Sequence, residues 1–143
     1  MLSQVQVKIL NQSFYERFGL PKRATSHSAG FDLYACIEAP LICAPTQVHL
    51  IDTGIACFIA DPQYAAVIMP RSGLGHKHGI ILGNTVGLID ADYQGPLKVS
   101  LWNRGSETFV INPGDRIAQL VFMPVALPEF QVVESFEHTD RGT

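Results

Sequence analysis

An arginine and an aspartate about twenty residues apart are the side chains of this chain best suited to chemistry. Arg71 belongs to the segment Pro70-Arg71-Ser72-Gly73, which follows the apolar residues 65–69. Such a turn can present successive N–H groups and a serine hydroxyl to an anion, and the guanidinium adds a planar fork of donors that matches phosphate. The segment therefore predicts an anion site, with a plain turn and a solvated arginine as the alternative.

Asp90 is the candidate general base. It follows the apolar residues 86–89, so we expect its carboxylate to be partly desolvated, and desolvation makes a carboxylate a better base. The alternative is an aspartate that caps the turn of residues 91–95. An anion site and a half-buried carboxylate together indicate a hydrolase for a phosphorylated substrate.

Two residues close to Asp90 add features of a ligand site. Tyr93 could stack on a sugar or a base, or fill the end of a barrel. The spacing of Asn84 and Gly87 predicts a hairpin-like turn whose main-chain groups could read a flat heterocycle, with ordinary turn chemistry as the alternative. His76 and His78 lack the glutamate and third histidine of a cupin-type centre, so we predict no metal bound directly by protein ligands.

The remaining sequence must hold these residues in one folded domain. The chain has 143 residues, of which 47% are hydrophobic, so it can bury a core and is not disordered. The net charge is -3 and there is no basic run, so the chain lacks the charge pattern of a protein that binds nucleic acid. No apolar run is long enough for a membrane span. Three cysteines without metal-ligand spacing favour a reducing, cytoplasmic location; they are Cys36, Cys43 and Cys57.

Short segments with apolar residues at every second position predict the elements of the fold. Residues 4–10, 54–60 and 97–101 show this alternation, while residues 116–122 are apolar on both faces except for Arg116 and Gln119, as in a central strand. No segment has a helical period longer than a turn or two. We predict a single all-β domain over residues 1–136, a sandwich, jelly roll or barrel, with a mobile tail over residues 137–143.

Four segments resemble, in order and spacing, the motifs of the trimeric deoxyuridine triphosphatase (dUTPase) family, bacterial type. Their sequences are AGFDL (29–33), PRSGL (70–74), GLIDADYQG (87–95) and GDRIAQL (114–120). A fifth motif, in which an Arg-Gly pair opens a glycine-rich tail, is represented only by Arg141-Gly142-Thr143. The resemblance implies a distorted, jelly-roll-like β-barrel of the β-clip type, a homotrimer, and active sites between subunits.

The resemblance also implies an activity, the hydrolysis of dUTP to dUMP and pyrophosphate, which keeps uracil out of DNA and supplies dUMP. Asp90 would contact the sugar 3′-hydroxyl and activate a water for attack on the α-phosphorus. Mg²⁺ would be held by the substrate phosphates, with Asp32 in contact through water. The implied substrate-binding residues are Arg71, Ser72, Gly73 and Gln119 at the phosphates, Asn84, Leu88 and Ile89 at the uracil edge, Tyr93 against the deoxyribose, and Lys98 as a further contact.

Two other functions remain open on this fold. A dCTP deaminase shares the architecture, but it needs an acid beside C4 of the pyrimidine, usually a glutamate, and residues 80–98 contain none. A nucleotide-binding module without turnover is the second alternative.

Overall fold

The computed structural model describes residues 1–137, which form ten short strands and two helices. The strands are β1 (Gln6–Ile9), β2 (Phe31–Tyr34), β3 (Leu41–Cys43), β4 (Val48–Phe58), β5 (Tyr64–Met69), β6 (Ile80–Leu82), β7 (Gly87–Ile89), β8 (Pro96–Asn103), β9 (Phe109–Ile111) and β10 (Arg116–Pro124). The helices are α1 (Gln12–Phe18) and α2 (Ser72–His78). The all-β prediction is confirmed, whereas the predicted tail lies, except for residue 137, outside the described residues.

Two four-stranded sheets and a two-stranded ribbon surround the core. The sheets have the orders β1-β4-β8-β6 and β2-β10-β5-β7, the ribbon is β3-β9, and neighbouring strands are antiparallel throughout. Each buried aliphatic side chain contributes about 1.5–3 kcal/mol relative to exposure, so the packed faces fix the strands that carry the site. The largest fully buried apolar side chains are Leu33, Ile68, Ile80, Leu82, Leu97, Leu101, Ile111 and Val99.

The segments with alternating apolar residues lie in strands, as predicted. In β4 and β8 the predicted inward positions are buried, while Lys98 between two of them is exposed. The predicted central strand is β10, which lies between β2 and β5. The buried inward residues are Ile55, Cys57, Leu97, Val99 and Leu101, together with Ile59 just beyond β4.

Each helix has only two turns, which is too short to show a sustained helical period in the sequence. α1 starts after Asn11, whose side chain accepts a hydrogen bond from the Phe14 N–H at 3.1 Å. α2 starts directly after Arg71 and ends at Gly79, so the predicted turn at residues 70–73 is the entry into a helix. Within residues 1–137, no helix is long and apolar enough to cross a membrane.

Candidate active site

Three neighbouring strands bring the predicted anion site together. Gln119 on β10 pairs with Asp32 on β2 on one side and with Met69 on β5 on the other. Arg71 follows Met69 by two residues, so the first, second and fourth motifs meet at one end of this sheet. They line a cleft of about 210 Å³. Its lining residues are Ala24, Ser28, Gly30, Asp32, Arg71, Ser72, Gly73 and Gln119.

Asp32 holds two arginines at this end of the sheet. Its carboxylate lies 3.1 Å from Nε of Arg71 and 3.3 Å from Nη1 of Arg116, and its side chain is only 13% exposed. Nη1 of Arg71 also donates to the main-chain oxygen of Arg116 at 3.1 Å. Because a carboxylate and a carbonyl both hold it, the Arg71 guanidinium is oriented before any ligand arrives. Water-mediated contact of Asp32 with a metal stays a prediction.

The main chain of Ser72 and Gly73 supplies donors next to Arg71. Both residues belong to the first turn of α2, where the N–H groups have no partner within the helix. The first bond within the helix is donated by Gly75 to the Arg71 carbonyl at 2.9 Å. No atom of residues 1–137 approaches within 4 Å of the position where a Cβ of Gly73 would stand, apart from its chain neighbours and the helix backbone, so a ligand can reach the main chain there.

Gln119 supports the loop that carries Arg71. Its Nε2 donates to the carbonyl oxygen of Pro70 at 2.9 Å. Gly30 leaves room for this side chain, since a methyl group at Gly30 would lie 2.6 Å from Oε1 of Gln119. We call the group formed by Asp32, Arg71, Ser72, Gly73 and Gln119 the phosphate cradle.

The predicted hairpin at Asn84 is not a simple hairpin. β6 and β7, the strands on either side, pair with β8 and β5 in different sheets, so the segment between them crosses from one sheet to the other. Thr85 has a φ of 62°, which is rare for a β-branched residue, and its N–H donates to Leu82 at 3.0 Å. The turn residues of this segment predicted a hairpin but carry no sign of the change of sheet.

Asp90 is exposed in this chain, which corrects the prediction that its carboxylate is partly desolvated. The reason is the position of β7, an edge strand that has β5 as its one partner among the described strands. Leu88 at the centre of β7 is 65% exposed, so residues 1–137 leave the apolar run before Asp90 largely uncovered. The Asp90 carbonyl accepts from the Tyr93 N–H at 3.2 Å, so residues 90–93 form a turn through their main chain.

Tyr93 has a fixed orientation although it is 42% exposed. Its hydroxyl donates to the carbonyl oxygen of Pro96 at 3.0 Å, and its ring lies over Gly95. Lys98, two residues after Pro96, forms an exposed ion pair of 3.2 Å with Asp52 on the neighbouring strand β4. The substrate roles predicted for Asn84, Leu88, Ile89, Tyr93 and Lys98 remain predictions.

The family model for dUTPase matches residues 16–143. The chain belongs to the dUTPase family. It is 59% identical to a deoxyuridine 5′-triphosphate nucleotidohydrolase of Sodalis glossinidius over 141 residues, which are 99% of this chain and 93% of that protein. A protein of the same name from Klebsiella pneumoniae is 58% identical over 142 residues, again 99% and 93% of the two chains.

Solved structures of bacteriophage dUTPases share this fold. The dUTPase of Staphylococcus bacteriophage 80alpha with dUpNHpp has a TM-score of 0.84 and 26% identity, and the match covers 98% of this chain and 94% of the phage chain. A mutant of the dUTPase from phage phi11 of S. aureus, described as coordinating a structural Mg(II) ion, has a TM-score of 0.81 and 26% identity over 95% of this chain and 100% of its own. The predicted dUTPase fold is therefore confirmed.

Two residues that support the phosphate cradle were not singled out in the sequence. Arg116 lies within the fourth motif, and Gly30 within the first, but neither was assigned a role. Arg116 is 84 residues from Asp32 in the chain, and only the pairing of β10 with β2 brings them together. The apolar character of residues 116–122 on both faces indicated a central strand, and that was the available signal.

Proposed function

We propose that this chain hydrolyses dUTP to dUMP and pyrophosphate. The observation that carries the proposal is the phosphate cradle in a chain of the dUTPase family: Arg71 is fixed by Asp32, and the N–H groups of Ser72 and Gly73 in the first helical turn stand beside it. Donors that are oriented before the substrate binds favour negative charge without reorganisation during the reaction. We assign Arg71, Ser72, Gly73 and Gln119 to the phosphates of dUTP.

In the proposed reaction Asp90 is the general base. Its carboxylate contacts the sugar 3′-hydroxyl and takes a proton from a water, and the water oxygen attacks the α-phosphorus in line. The bond from the α-phosphorus to the bridging oxygen breaks, and pyrophosphate leaves with its electron pair. A positioned base contributes about 10²–10⁴ in rate, and the arginine and main-chain donors stabilise the charge on the leaving group.

The residues before and after Asp90 would select the nucleoside. Asn84 and the main chain of Leu88 and Ile89 would read the uracil edge, where a thymine methyl group would not fit. Tyr93, whose hydroxyl bonds to the Pro96 carbonyl, would exclude a 2′-hydroxyl through the bulk of its ring, which would lie against the sugar. Lys98 would make a further contact with the substrate.

The cradle suits a metal that arrives on the substrate. Asp32 is its one carboxylate, and this group already contacts two arginines, so the lining residues offer no cage of oxygen ligands there. Mg²⁺ prefers phosphate and water oxygens, and it would be held by the triphosphate with Asp32 in contact through water. Bound in this way, Mg²⁺ would neutralise phosphate charge.

A complete site requires more than one copy of the chain. Asp32 and Asp90 belong to opposite edges of the sheet β2-β10-β5-β7, three strand spacings or about 14 Å apart, and are also offset along it. The uncovered Leu88 and the segment after β10, where Phe130 and Phe136 are more than 90% exposed, offer apolar surface to another copy. We propose a homotrimer in which the cradle of one subunit faces Asp90 of another.

A pyrophosphate-release assay with dUTP, UTP, dTTP and dCTP, run together with an ammonia assay, tests this function. We expect pyrophosphate from dUTP alone, and a particle of three times the 15.7 kDa chain mass by light scattering. Ammonia from dCTP would identify a deaminase. Binding of dUTP without pyrophosphate release would identify a nucleotide-binding module. In the cell, the proposed reaction would take place in the cytoplasm, keep uracil out of DNA and supply dUMP.

A further inference from the structure

The end of α2 opposite the phosphate cradle is pressed against the turn between β8 and β9. The Arg104 N–H donates to the Gly79 carbonyl at 2.9 Å. A methyl group built at Gly105 would lie 2.5 Å from the His78 carbonyl oxygen, and one built at Gly79 would lie 2.6 Å from the Gly105 nitrogen. Gly79 also has a φ of 67°, which favours glycine. Two main chains meet here with no room for a side chain between them.

A buried asparagine makes this turn rigid. Asn103 is completely buried, and its Nδ2 donates to the carbonyl oxygens of Cys43 and Glu107, both at 2.8 Å. Its Oδ1 accepts from the Gly105 N–H at 2.9 Å. One side chain thus ties the end of β3, the end of β8 and the turn before β9 together. Buried polar groups satisfied in this way resist displacement.

α2 itself has little else to hold it in place. None of its seven residues is fully buried, and of the seven only Leu74 packs against the hydrophobic core. Its first residues belong to the cradle, and the strand β6 begins immediately after Gly79. At about 1.5 Å per residue the helix is about 10 Å long, short enough to move as one rigid unit. The attachment of its last residues therefore helps to set where its first residues point, together with Leu74 and the contacts that hold Arg71 just before the helix.

We propose that Gly79, Gly105 and Asn103 form a latch that positions the phosphate cradle through α2. They are positioning residues, because none of them lines the cleft of the cradle and they act through the helix. The proposal rests on the proposed function, since it assigns the N-terminal turn of α2 to phosphate. It makes a specific claim: loosening the latch weakens binding of the β- and γ-phosphates and leaves recognition of the nucleoside unchanged.

The variant Gly105→Ala tests the latch. Gly105 lies outside the left-handed region, so alanine adds no backbone strain and acts through its contact with His78. Gly75→Ala is the matched control, because Gly75 lies on the same helix α2. A methyl group there would lie 3.5 Å from the Ile81 side chain, which is an ordinary van der Waals contact. Dissociation constants of dUpNHpp, a hydrolysis-resistant dUTP analogue, and of dUMP are measured by calorimetry for both variants and the wild type.

We expect Gly105→Ala to weaken dUpNHpp binding about tenfold while dUMP binding stays within about twofold, since small displacements of positioned groups are costly. Gly75→Ala should bind both ligands as the wild type does. A general loss of structure would weaken the binding of both ligands by the same factor. Equal losses for the two ligands, or no loss for either, would therefore overturn the latch.

If Gly105→Ala does not fold, two less disruptive variants, His78→Ala and His76→Ala, test the latch. The His78 ring lies 5.3 Å from the Phe109 ring, centroid to centroid, and so links the last residue of α2 to β9. His78 and His76 are both exposed residues of this helix. We expect His78→Ala to weaken dUpNHpp binding about threefold without affecting dUMP, and His76→Ala to change neither. Identical behaviour of the two histidine variants would then contradict the latch.

The wild-type protein separates this proposal from the one on which it rests. If the wild type neither binds dUpNHpp nor releases pyrophosphate from dUTP, the proposed function is wrong. If it does both, and Gly105→Ala keeps the wild-type preference for dUpNHpp over dUMP, the function stands and the latch is rejected.

Discussion

The phosphate cradle and the segment from Asn84 to Tyr93 differ in how much of a site a single chain can build. In the cradle, Asp32 is nearly buried between two arginines, and Gln119 supports the loop of Arg71. In the other segment Asn84 and Asp90 are exposed, and Leu88 has no cover. One region is assembled from adjacent strands of one sheet, whereas the other lies on an edge strand.

The difference separates two tasks of a phosphohydrolase. Holding an anion needs donors that are fixed in advance, and neighbouring strands supply these within one subunit. Activating a water needs a carboxylate shielded from bulk solvent, which an edge strand acquires only when something covers it. A second copy of the chain is the proposed cover, and the predictions below separate the two regions.

The largest expected effect follows from changing the base. Asp90→Asn should lower kcat about 10²–10⁴-fold, while binding of dUpNHpp stays within about tenfold, because a base matters mainly in the transition state. Steady-state kinetics and calorimetry measure the two quantities. Equal losses in rate and in affinity would make Asp90 a binding residue.

Asp61→Asn is the matched control for the base. Asp61 caps a turn, since its Oδ1 accepts from the Gln63 N–H at 3.0 Å. This is the role that Asp90 would have if it were only a turn residue. We expect Asp61→Asn to keep wild-type kcat, and a comparable loss of kcat in both variants would return Asp90 to a structural role.

The next prediction tests whether the two regions belong to different subunits. Arg71→Ala and Asp90→Asn should each be inactive alone. When the two are unfolded and refolded together in equal amounts, sites that combine an intact cradle with an intact Asp90 should restore about one quarter of the activity. Refolding either variant alone is the control. No recovery in mixed particles would place both residues in a site made by one subunit.

The third prediction concerns selection of the sugar. Tyr93→Ala should lower the ratio of kcat/KM for dUTP over UTP about tenfold, because the ring that excludes the 2′-hydroxyl is gone. Tyr93→Phe should keep the ratio, since it loses only the hydroxyl bond to Pro96. An unchanged ratio in the alanine variant would remove the steric argument.

The sequence predicted the positions of the strands better than it predicted which strands pair with each other. Alternation identified the inward residues of β4 and β8, and apolar character on both faces identified β10 as central. It could not show that β6 and β7 enter different sheets, because side-chain period reports which face is buried and not which strand lies alongside. It also could not show α2, which has two turns, contains two glycines and buries none of its residues.

The candidate site was predicted in the same uneven way. The segment at Arg71 has local chemistry that is visible in the sequence, and the structure places it with Gln119 and Asp32. Arg116 was missed because its partner is 84 residues away in the chain. The apolar run before Asp90 predicted partial desolvation of its carboxylate, but apolar residues on an edge strand can equally be exposed until another chain covers them.

The smallest expected effect belongs to Lys98, which separates a stability role from a substrate role. Its ion pair with Asp52 is exposed, and exposed pairs contribute about 0–1 kcal/mol, so Lys98→Ala should change the free energy of unfolding little. We expect its kcat/KM for dUTP to fall about threefold if Lys98 contacts the substrate. Asp52→Asn removes the same ion pair and leaves Lys98 in place, so it should keep wild-type kcat/KM. Equal kinetic losses in the two variants would mean that the ion pair matters and that Lys98 makes no contact with the substrate.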